Sequence, residues 1–326
     1  MSNNNLIAIL ALRQVKGAGE VAIKKLWLNG VFDNQSHYQI IEKALVILKK
    51  KISDEEIEEY VGLSKDTISK SHDNDVKLVD LSDSKYPKTL SEIKDPPSVL
   101  FYKGNLAAAQ KSLGIIGTRE ADSIAIEIAK RLGAYFHEKG YSICNGLAIG
   151  VDEASITGEK GLHSNVVGVL AGGLNYNKTK TLLASTALMA EKVLENGGLI
   201  LSEYECGLKE DTFKVIDSCR IQAGLSKGLI LVQSKIDGGS KYTLKAFSLL
   251  NRPLGVINLN KSGTDLLFEA NSIILNDTIA GLAKITGLKP DKILIDNAIS
   301  ISKKDDYQRF EKAISSLDSE FNGKLF

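Results

Sequence analysis

The stretch Leu113-Gly114-Ile115-Ile116-Gly117-Thr118-Arg119 combines a short apolar strand with a glycine turn and a cation. Five more apolar runs follow, and the starts of the six runs lie 28, 25, 33, 29 and 26 residues apart. Each interval is the length of one βα unit, and continuous apolar runs are typical of parallel strands that helices cover on both faces. The later runs are Tyr141–Cys144, Val166–Leu170, Leu199–Leu201, Gly228–Val232 and Leu254–Ile257. The sequence therefore predicts an open, doubly wound α/β sheet.

The segments on either side of these strands have a helical pattern. The first 78 residues predict a small all-helical domain, with helices at Leu6–Val15, Glu20–Leu28, His37–Lys51, Asp54–Tyr60 and Lys65–Ser71. After the strands, Asn276–Thr286 predicts one further helix and Lys303–Leu317 another, with Phe310, Ala313, Ile314 and Leu317 on one face. We therefore expect a helical domain at 1–78, the α/β domain at 79–275, and a helical extension of unassigned role at 276–326.

The composition narrows the class of protein. The 326 residues include 41 Lys plus Arg against 40 Asp plus Glu, which argues against a broadly basic nucleic-acid coat but not against a local basic site. The three cysteines are widely spaced and form no C-x-x-C pair, so a disulfide scaffold or a zinc ribbon is excluded. Neither a membrane span nor a secretory signal is visible, and we expect a cytoplasmic protein.

Five loops follow the predicted strands, and four of them contain glycine. In a doubly wound sheet these loops lie outside the carboxyl ends of the strands, where ligands bind. Glycine lets backbone N–H groups approach a ligand closely, and Arg119 and Lys241 add cations suited to phosphate. The loops are 117–119, 145–152, 171–173, 202–204 and 237–241. The pattern favours a phosphate or nucleotide-chain site, although each glycine taken alone is equally well explained as a turn residue.

Catalytic and metal-binding patterns are not found. Neither G-x-G-x-x-G nor G-x-x-x-x-G-K-[ST] occurs, which disfavours standard dinucleotide and P-loop binding. The four histidines are scattered, so we expect no metal and no cofactor. Asp152 and Glu203 are a possible carboxylate pair at one crevice, but Asp152 stands where a helix N-cap is expected, and capping is the favoured interpretation. The residues favour binding over catalysis.

A segment near the N-terminus also indicates nucleic acid. Residues 15–26 have the form of a helix-hairpin-helix, in which a Gly-x-Gly turn exposes backbone N–H groups to a phosphate. The predicted secondary DNA-binding residues are Lys16, Gly17, Gly19 and Lys24. A simple turn between two packed helices explains the same pattern equally well. Glu20 caps the second helix but weakens the attraction to phosphate.

Six collinear blocks carry a resemblance to the DprA/Smf family of DNA-processing proteins, which extends from about Tyr86 to Ala270. The blocks are Tyr86–Asn105 with its Asp95-Pro96-Pro97, Gly114–Arg119, Gly146–Asp152, Val167–Leu174, Leu201–Tyr204 and Arg220–Ser226. The resemblance implies an extended Rossmann-like domain that binds single-stranded DNA, commonly as a homodimer. It further implies loading of the RecA recombinase onto incoming strands during transformation, with no enzymatic activity, no cofactor and no membrane partner.

The resemblance also assigns residues to a site. It implies that Arg119 and Arg220 contact DNA phosphates, while Gly146, Gly239 and Ser240 line the same groove. The full predicted DNA-binding set is Gly117, Thr118, Arg119, Asn145, Gly146, Arg220, Gly238, Gly239, Ser240 and Lys241. A nearly neutral chain suits this mode of binding, since backbone donors and a few cations are enough to hold a single strand.

The chain departs from the family pattern at several of these positions. Asn145 stands where the family has a serine, and Ser218 and Cys219 stand where it has an arginine and an asparagine. The Ala-His pair that follows the aspartate in the family is replaced around Ile156. Two alternatives therefore stay open. One is a regulator or antitoxin in anti-phage defence that senses DNA and restrains a co-encoded partner toxin. The other is a nucleotide phosphoribohydrolase, although the glutamate that such an enzyme requires near Lys245 is missing.

Overall fold

The computed structural model describes residues 3–33, 35–159, 161–259 and 266–323, with side chains in the last helix described to Ser316. Four α-helices open the chain: α1 (Asn4–Leu12), α2 (Glu20–Leu28), α3 (His37–Leu48) and α4 (Asp54–His72). Capping boxes begin α3 at Ser36 and α4 at Ser53. The first three helices were predicted, with bounds that differ by up to three residues.

Helix α4 corrects one prediction, because it is continuous where two helices were expected. The break was placed around Gly62, a residue that costs a helix about 1 kcal/mol relative to alanine. In the structure the helix continues through Gly62, with Ile57, Val61 and Ser64 buried on one face. Packing of this face offsets the low helix propensity of one glycine.

A nine-stranded sheet forms the centre of the molecule, in the order β1-β2-β8-β7-β4-β3-β9-β10-β11. The strands are β1 (Lys77–Asp80), β2 (Val99–Gly104), β3 (Ser112–Ile116), β4 (Ser142–Asn145), β7 (Val166–Val169), β8 (Leu199–Ser202), β9 (Ser226–Leu231), β10 (Leu254–Ile257) and β11 (Ile299–Ile301). A separate two-residue hairpin contains β5 (Thr157–Gly158) and β6 (Gly161–Leu162). All six predicted strands are present, with bounds shifted by at most two residues.

The six predicted strands are parallel to one another, and the strands that were missed add to both edges of the sheet. Strand β2 pairs antiparallel with β8, β1 pairs antiparallel with β2, and β11 runs parallel to β10. The sheet is therefore mostly parallel, as expected. Sequence patterns overlooked β1, β2 and β11 because none of the three belongs to a regular βα unit.

Helices cover both faces of the sheet, which confirms the doubly wound fold. Alternate residues of one strand face opposite layers: Leu113 and Ile115 pack in one core cluster, while Ile116 packs in another. The helices of this part are α5 (Lys88–Ser91), α6 (Ser123–Glu138), α7 (Val151–Ser155), α8 (Ala184–Glu195), α9 (Thr212–Leu225), α10 (Ser240–Phe247), α11 (Glu269–Asn276), α12 (Thr278–Thr286) and α13 (Lys304–Gly323). Helices α6, α7, α8 and α13 lie on one side, and α5, α9, α10, α11 and α12 on the other.

The C-terminal extension is not purely helical, because it contributes β11 to the sheet. Phe310 and Ile314 of α13 are buried; an added Cβ would lie about 3 Å from both side chains at Gly228 and 3.2 Å from that of Phe310 at Gly255. Both residues were predicted on the apolar face of this helix; the side chain of Leu317 falls outside the described residues. The extension therefore packs on the sheet directly, while the proposed boundaries at 78 and 275 remain predictions.

His163 offers a test of the packing around α6. Its ring is buried and stacked on His137, with 4.6 Å between ring centroids. Burial, and next the neighbouring His137, lower the pKa of His163 to about 4. Between pH 6.5 and about 4, the folded chain thus binds fewer protons than the unfolded chain. The stabilising effect of the neutral ring is therefore present above pH 6.5 and is lost as the pH falls through this window. We expect the urea midpoint of the wild type to fall more steeply across this window than that of His163→Gln; equal slopes would contradict the assignment.

Within the described ranges, no helix combines the length and the apolar content that a membrane crossing requires.

Candidate functional site

Three loops meet where the order of the strands reverses. From β3 the chain moves to β4 on one side, and it later returns to β9 on the other side. In doubly wound sheets, ligands bind outside the carboxyl ends of the strands at such a reversal. The loops that follow β3, β4 and β9 occupy 117–122, 146–150 and 232–239. They contain or adjoin nine of the ten residues that were predicted to bind DNA.

The loop after β3 presents a free cation. Gly117 packs so closely on Val151 that an added Cβ would lie 2.5 Å from Val151 Cγ2, so no larger residue fits. The N–H of Thr118 donates to the carbonyl of Gln233 at 2.8 Å, which holds the turn in place. The side chain of Arg119 is exposed and makes no hydrogen bond or ion pair with any other described residue. Its guanidinium is therefore available to an anion.

Gln233 joins two of these loops across the reversal. Its side chain is fully buried; Oε1 accepts from the N–H of Asp122 at 3.1 Å and Nε2 donates to Asp122 Oδ2 at 2.9 Å. Asp122 also caps α6 by accepting from the N–H of Ala125. Sequence reasoning missed both residues. The available signal was a polar residue directly after a predicted strand, which is the position of Gln233.

The loop after β4 is closed by its own side chains. Asn145 is buried; its amide donates to the carbonyl of Asp152 and to Ser155 Oγ, and its oxygen accepts from the N–H of Leu147. Asp152 Oδ2 accepts from the N–H groups of Gly146 at 3.1 Å and Ala148 at 3.4 Å. The donors of Asn145 and Gly146 are thus already used within the protein, and an anion can reach them only by displacing Asp152.

Asp152 is not the helix N-cap that we expected. Gly150, with φ +85°, occupies that position, and Asp152 is the second residue of α7. Burial raises the pKa of Asp152 to about 7, although the N–H groups of Ala148 and Gly146 and the charge of Arg119 oppose the shift. The Asp152 carboxyl group thus accepts hydrogen bonds from the N–H groups that this turn would offer to a bound anion. Glu203, the other member of the possible carboxylate pair, is bound to Arg220 instead.

The loop after β9 leads into the N-terminus of α10. Gly239 is the N-cap of this helix and offers no side-chain cap, and Ser240 Oγ is buried without a hydrogen-bond partner among the described residues. Lys241 Nζ lies 5.3 Å from the centroid of the Tyr242 ring. Gly238 turns back so that its N–H donates to the carbonyl of Lys235. A hydroxyl and a helix N-terminus without a side-chain cap form a suitable contact for one phosphate.

Asn271 of α11 holds this loop in place from its buried side, and no sequence pattern predicted this role. Its buried amide donates to the carbonyls of Leu231, Val232 and Ile257, and its oxygen accepts from the N–H of Ser234 at 3.2 Å. One side chain thereby satisfies four backbone groups at the ends of β9 and β10. The phosphate contact of α10 is therefore built on a loop that is held in one conformation.

Arg220 is the predicted site residue that the structure places apart from these loops. Its guanidinium forms two hydrogen bonds with Glu203, at 2.7 and 2.6 Å, and Nε donates to the carbonyl of Asp95 at 3.2 Å. Burial disfavours this charge, but the hydrogen bonds and charge of Glu203 outweigh it and raise the pKa of Arg220. A DNA phosphate would have to displace Glu203 in order to contact Arg220.

The N-terminal helix pair divides its predicted residues between two surfaces. Lys16, Gly17 and Gly19 are exposed at the turn, whereas Lys24 Nζ donates to the carbonyls of Glu92 and Ile93 at 3.1 and 2.6 Å. Glu20 also turns towards the sheet, where it accepts from the N–H of Ser98 at 2.6 Å. Arg13 donates to the carbonyl of Glu203 and lies 3.8 Å from Glu20. The second helix is therefore attached to the α/β part by its charged residues.

No group of three or more potential metal ligands occurs among the residues that the structure describes. The three cysteines are free and buried.

Comparison with protein families gives an independent match. The model of the family described as DNA recombination-mediator protein A matches residues 77–286. The protein Smf of Synechocystis is 25% identical over 303 residues, which cover 84% of this chain and 73% of that protein. The DNA processing protein DprA of Bacillus subtilis is 30% identical over 190 residues, 58% of this chain and 62% of that protein. The chain thus spans less than two thirds of the Bacillus relative.

Two solved structures share the fold. That of DNA processing protein A from Streptococcus pneumoniae has a TM-score of 0.65 and 21% identity, and the match covers 95% of this chain and 98% of the other. That of the Helicobacter pylori protein, described with its single-stranded DNA binding mode, has a TM-score of 0.55 and 20% identity, and the match covers 75% and 96%. At these identities the likeness concerns the fold.

Proposed function

Because the chain belongs to the DNA recombination-mediator protein A family, we propose that it binds single-stranded DNA at the strand reversal and acts in DNA processing and recombination. The strand lies against the loops after β3 and β9. Arg119 contacts one phosphate, and the N-terminus of α10 with Ser240 and Lys241 contacts another. Gly117, Thr118, Gly238 and Gly239 shape the surface between these contacts.

The observation that carries the proposal is the exposed Arg119 on one loop and the N-terminus of α10, with the buried Ser240 hydroxyl, on the next. Neither the guanidinium nor the hydroxyl has a hydrogen-bond partner among the described residues. Few cations and many backbone donors suit a single strand, whose phosphates are contacted without reading base edges. A protein that coats a duplex needs a larger excess of positive charge than 41 against 40.

The proposal extends to partners by way of the family. We propose that the protein works as a homodimer in the cytoplasm, passes the strand to the recombinase RecA, and has no catalytic activity of its own. The family and the relatives favour this role over regulation of a co-encoded toxin. The missing glutamate near Lys245 also disfavours a phosphoribohydrolase.

The test is a titration of the whole protein with a fluorescent oligothymidine and with a blunt duplex of equal length, at a series of salt concentrations. We expect the single strand to bind more tightly, with a logarithmic slope against salt of about −0.7 for each phosphate contact. No binding at low salt, or tighter binding of the duplex, would overturn the proposal.

A further inference from the structure

Two segments that are far apart in sequence carry four lysines, and the Lys50 side chain brings these segments together at the turn between α1 and α2. Lys16 precedes Gly17 in the turn, and Lys49, Lys50 and Lys51 follow α3. An added Cβ on Gly17 would lie 2.8 Å from Lys50 Nζ, so the ammonium group of Lys50 lies directly over the turn. We call these four residues the lysine cluster. Lys16, Lys49 and Lys51 are exposed, and Lys50 is half-buried.

Helix α3 ends at Leu48, and Lys49 is its C-cap residue. Lys49 adopts a left-handed conformation, with φ 54° and ψ 42°, at a helix end where glycine is the favoured residue. The N–H of Lys49 donates to the carbonyl of Val46, and that of Lys50 donates to the carbonyl of Leu45. A lysine in this conformation is less favourable for stability than a glycine would be.

Acidic residues lie near the cluster: Asp54, Glu55 and Glu56 form the first turn of α4, shortly after Lys51. Glu20, one residue beyond the turn, binds the N–H of Ser98 and lies near Arg13, on the side that faces the sheet. Glu56 accepts from the N–H of Ser53 within its capping box. None of the four lysines forms an ion pair with another described residue. The four ammonium groups are therefore without an ion-pair partner among the described residues, although the acidic first turn of α4 follows in sequence.

We propose that the lysine cluster and the exposed Gly17–Gly19 turn form a second, sequence-independent site for the phosphodiester backbone of nucleic acid. This inference rests on the proposed function. It also changes which residues make up the N-terminal site that the sequence predicted. Lys24, predicted from the sequence for this site, is not part of it, because its ammonium group is bound to carbonyls of the α/β part. Lys49, Lys50 and Lys51 take its place.

The test uses the full chain with all four lysines changed to glutamine. If three of them contact phosphates, the salt slope falls by about 2 on a single strand and by almost 3 on a duplex, and affinity at low salt falls by about 10-fold or more. The single-stranded and duplex arms distinguish which backbone is held; loss on either one supports the site. Lys130→Gln, an exposed lysine of α6 outside the cluster, is the matched control and should leave the slope unchanged.

Lys49→Gly separates binding from folding. Glycine relieves the left-handed strain, so we expect equal or higher thermal stability together with weaker binding. Unchanged affinity and slope in the quadruple variant, while Arg119→Ala still weakens binding, would overturn the second site and leave the proposed function intact. Absence of any binding by the wild type would overturn both.

Discussion

Arg119→Ala is expected to weaken the binding of a single-stranded oligonucleotide by about 10- to 100-fold. This range corresponds to one lost hydrogen-bonded charge contact of about 1.5–3 kcal/mol. The guanidinium has no hydrogen bond or ion pair with another described residue, so its removal leaves no described buried group without its hydrogen bond and we expect the fold to be unaffected. Fluorescence anisotropy at several salt concentrations measures both the affinity and the loss of about 0.7 from the slope.

Arg119→Lys is the matched control for this prediction. It keeps the charge but loses the planar pair of donors, so we expect an affinity between those of the wild type and the alanine variant. Equal binding by wild type and Arg119→Ala would mean that the strand does not pass the loop after β3. Thermal unfolding of each variant verifies that any difference in binding reports on the interface.

Arg220→Ala is expected to lower the free energy of unfolding by about 3–5 kcal/mol, which is the usual cost of removing one partner of a buried ion pair. Glu203 has only 8% of its side chain exposed and would be left with a buried, unpaired charge. Urea denaturation monitored by circular dichroism measures the effect. The same change would also loosen the contact of Arg13 with the carbonyl of Glu203, and with it the attachment of the N-terminal helices.

Arg131→Ala is the comparison for this prediction, because the pair of Arg131 with Glu127 is 69% and 55% exposed. An exposed pair of this kind contributes at most about 1 kcal/mol. If Arg220→Ala is as stable as Arg131→Ala but binds DNA poorly, Arg220 is a phosphate contact, as the family resemblance implies, and the structural role is wrong.

Much of the fold could be predicted because its strands follow a local rule. Each apolar run, such as Leu113–Ile116 or Leu254–Ile257, is buried on both faces of the sheet. The helices that cover these strands are close to them in sequence, so a local pattern is enough to predict them. Strand β11 has three residues and β2 joins the sheet in the opposite direction. Their places depend on neighbours distant in sequence, and no local pattern encodes that dependence.

The site was predictable in position but not in detail. The rule that ligands bind beyond the carboxyl ends of strands predicted that Arg119 and Ser240 lie at one edge of the sheet; that they bind DNA stays a prediction. Which donors are free depends on long-range partners: Gln233 reaches Asp122 across 111 residues, and Asn271 lies 37 residues beyond Ser234. The same limit applies to Arg220, whose pairing with Glu203 no motif encodes.

The pairing of Arg220 has a practical consequence for handling the protein. Salt screens exposed charges strongly and buried pairs only weakly. The contact between Arg220 and Glu203, with 18% and 8% of their side chains exposed, should survive a concentrated salt wash that strips a strand from Arg119. We therefore expect that a column of immobilised protein can be loaded with oligonucleotide, eluted with salt and reused without refolding. Arg119 makes the salt-sensitive contact with the strand, whereas the buried ion pair of Arg220 stays intact.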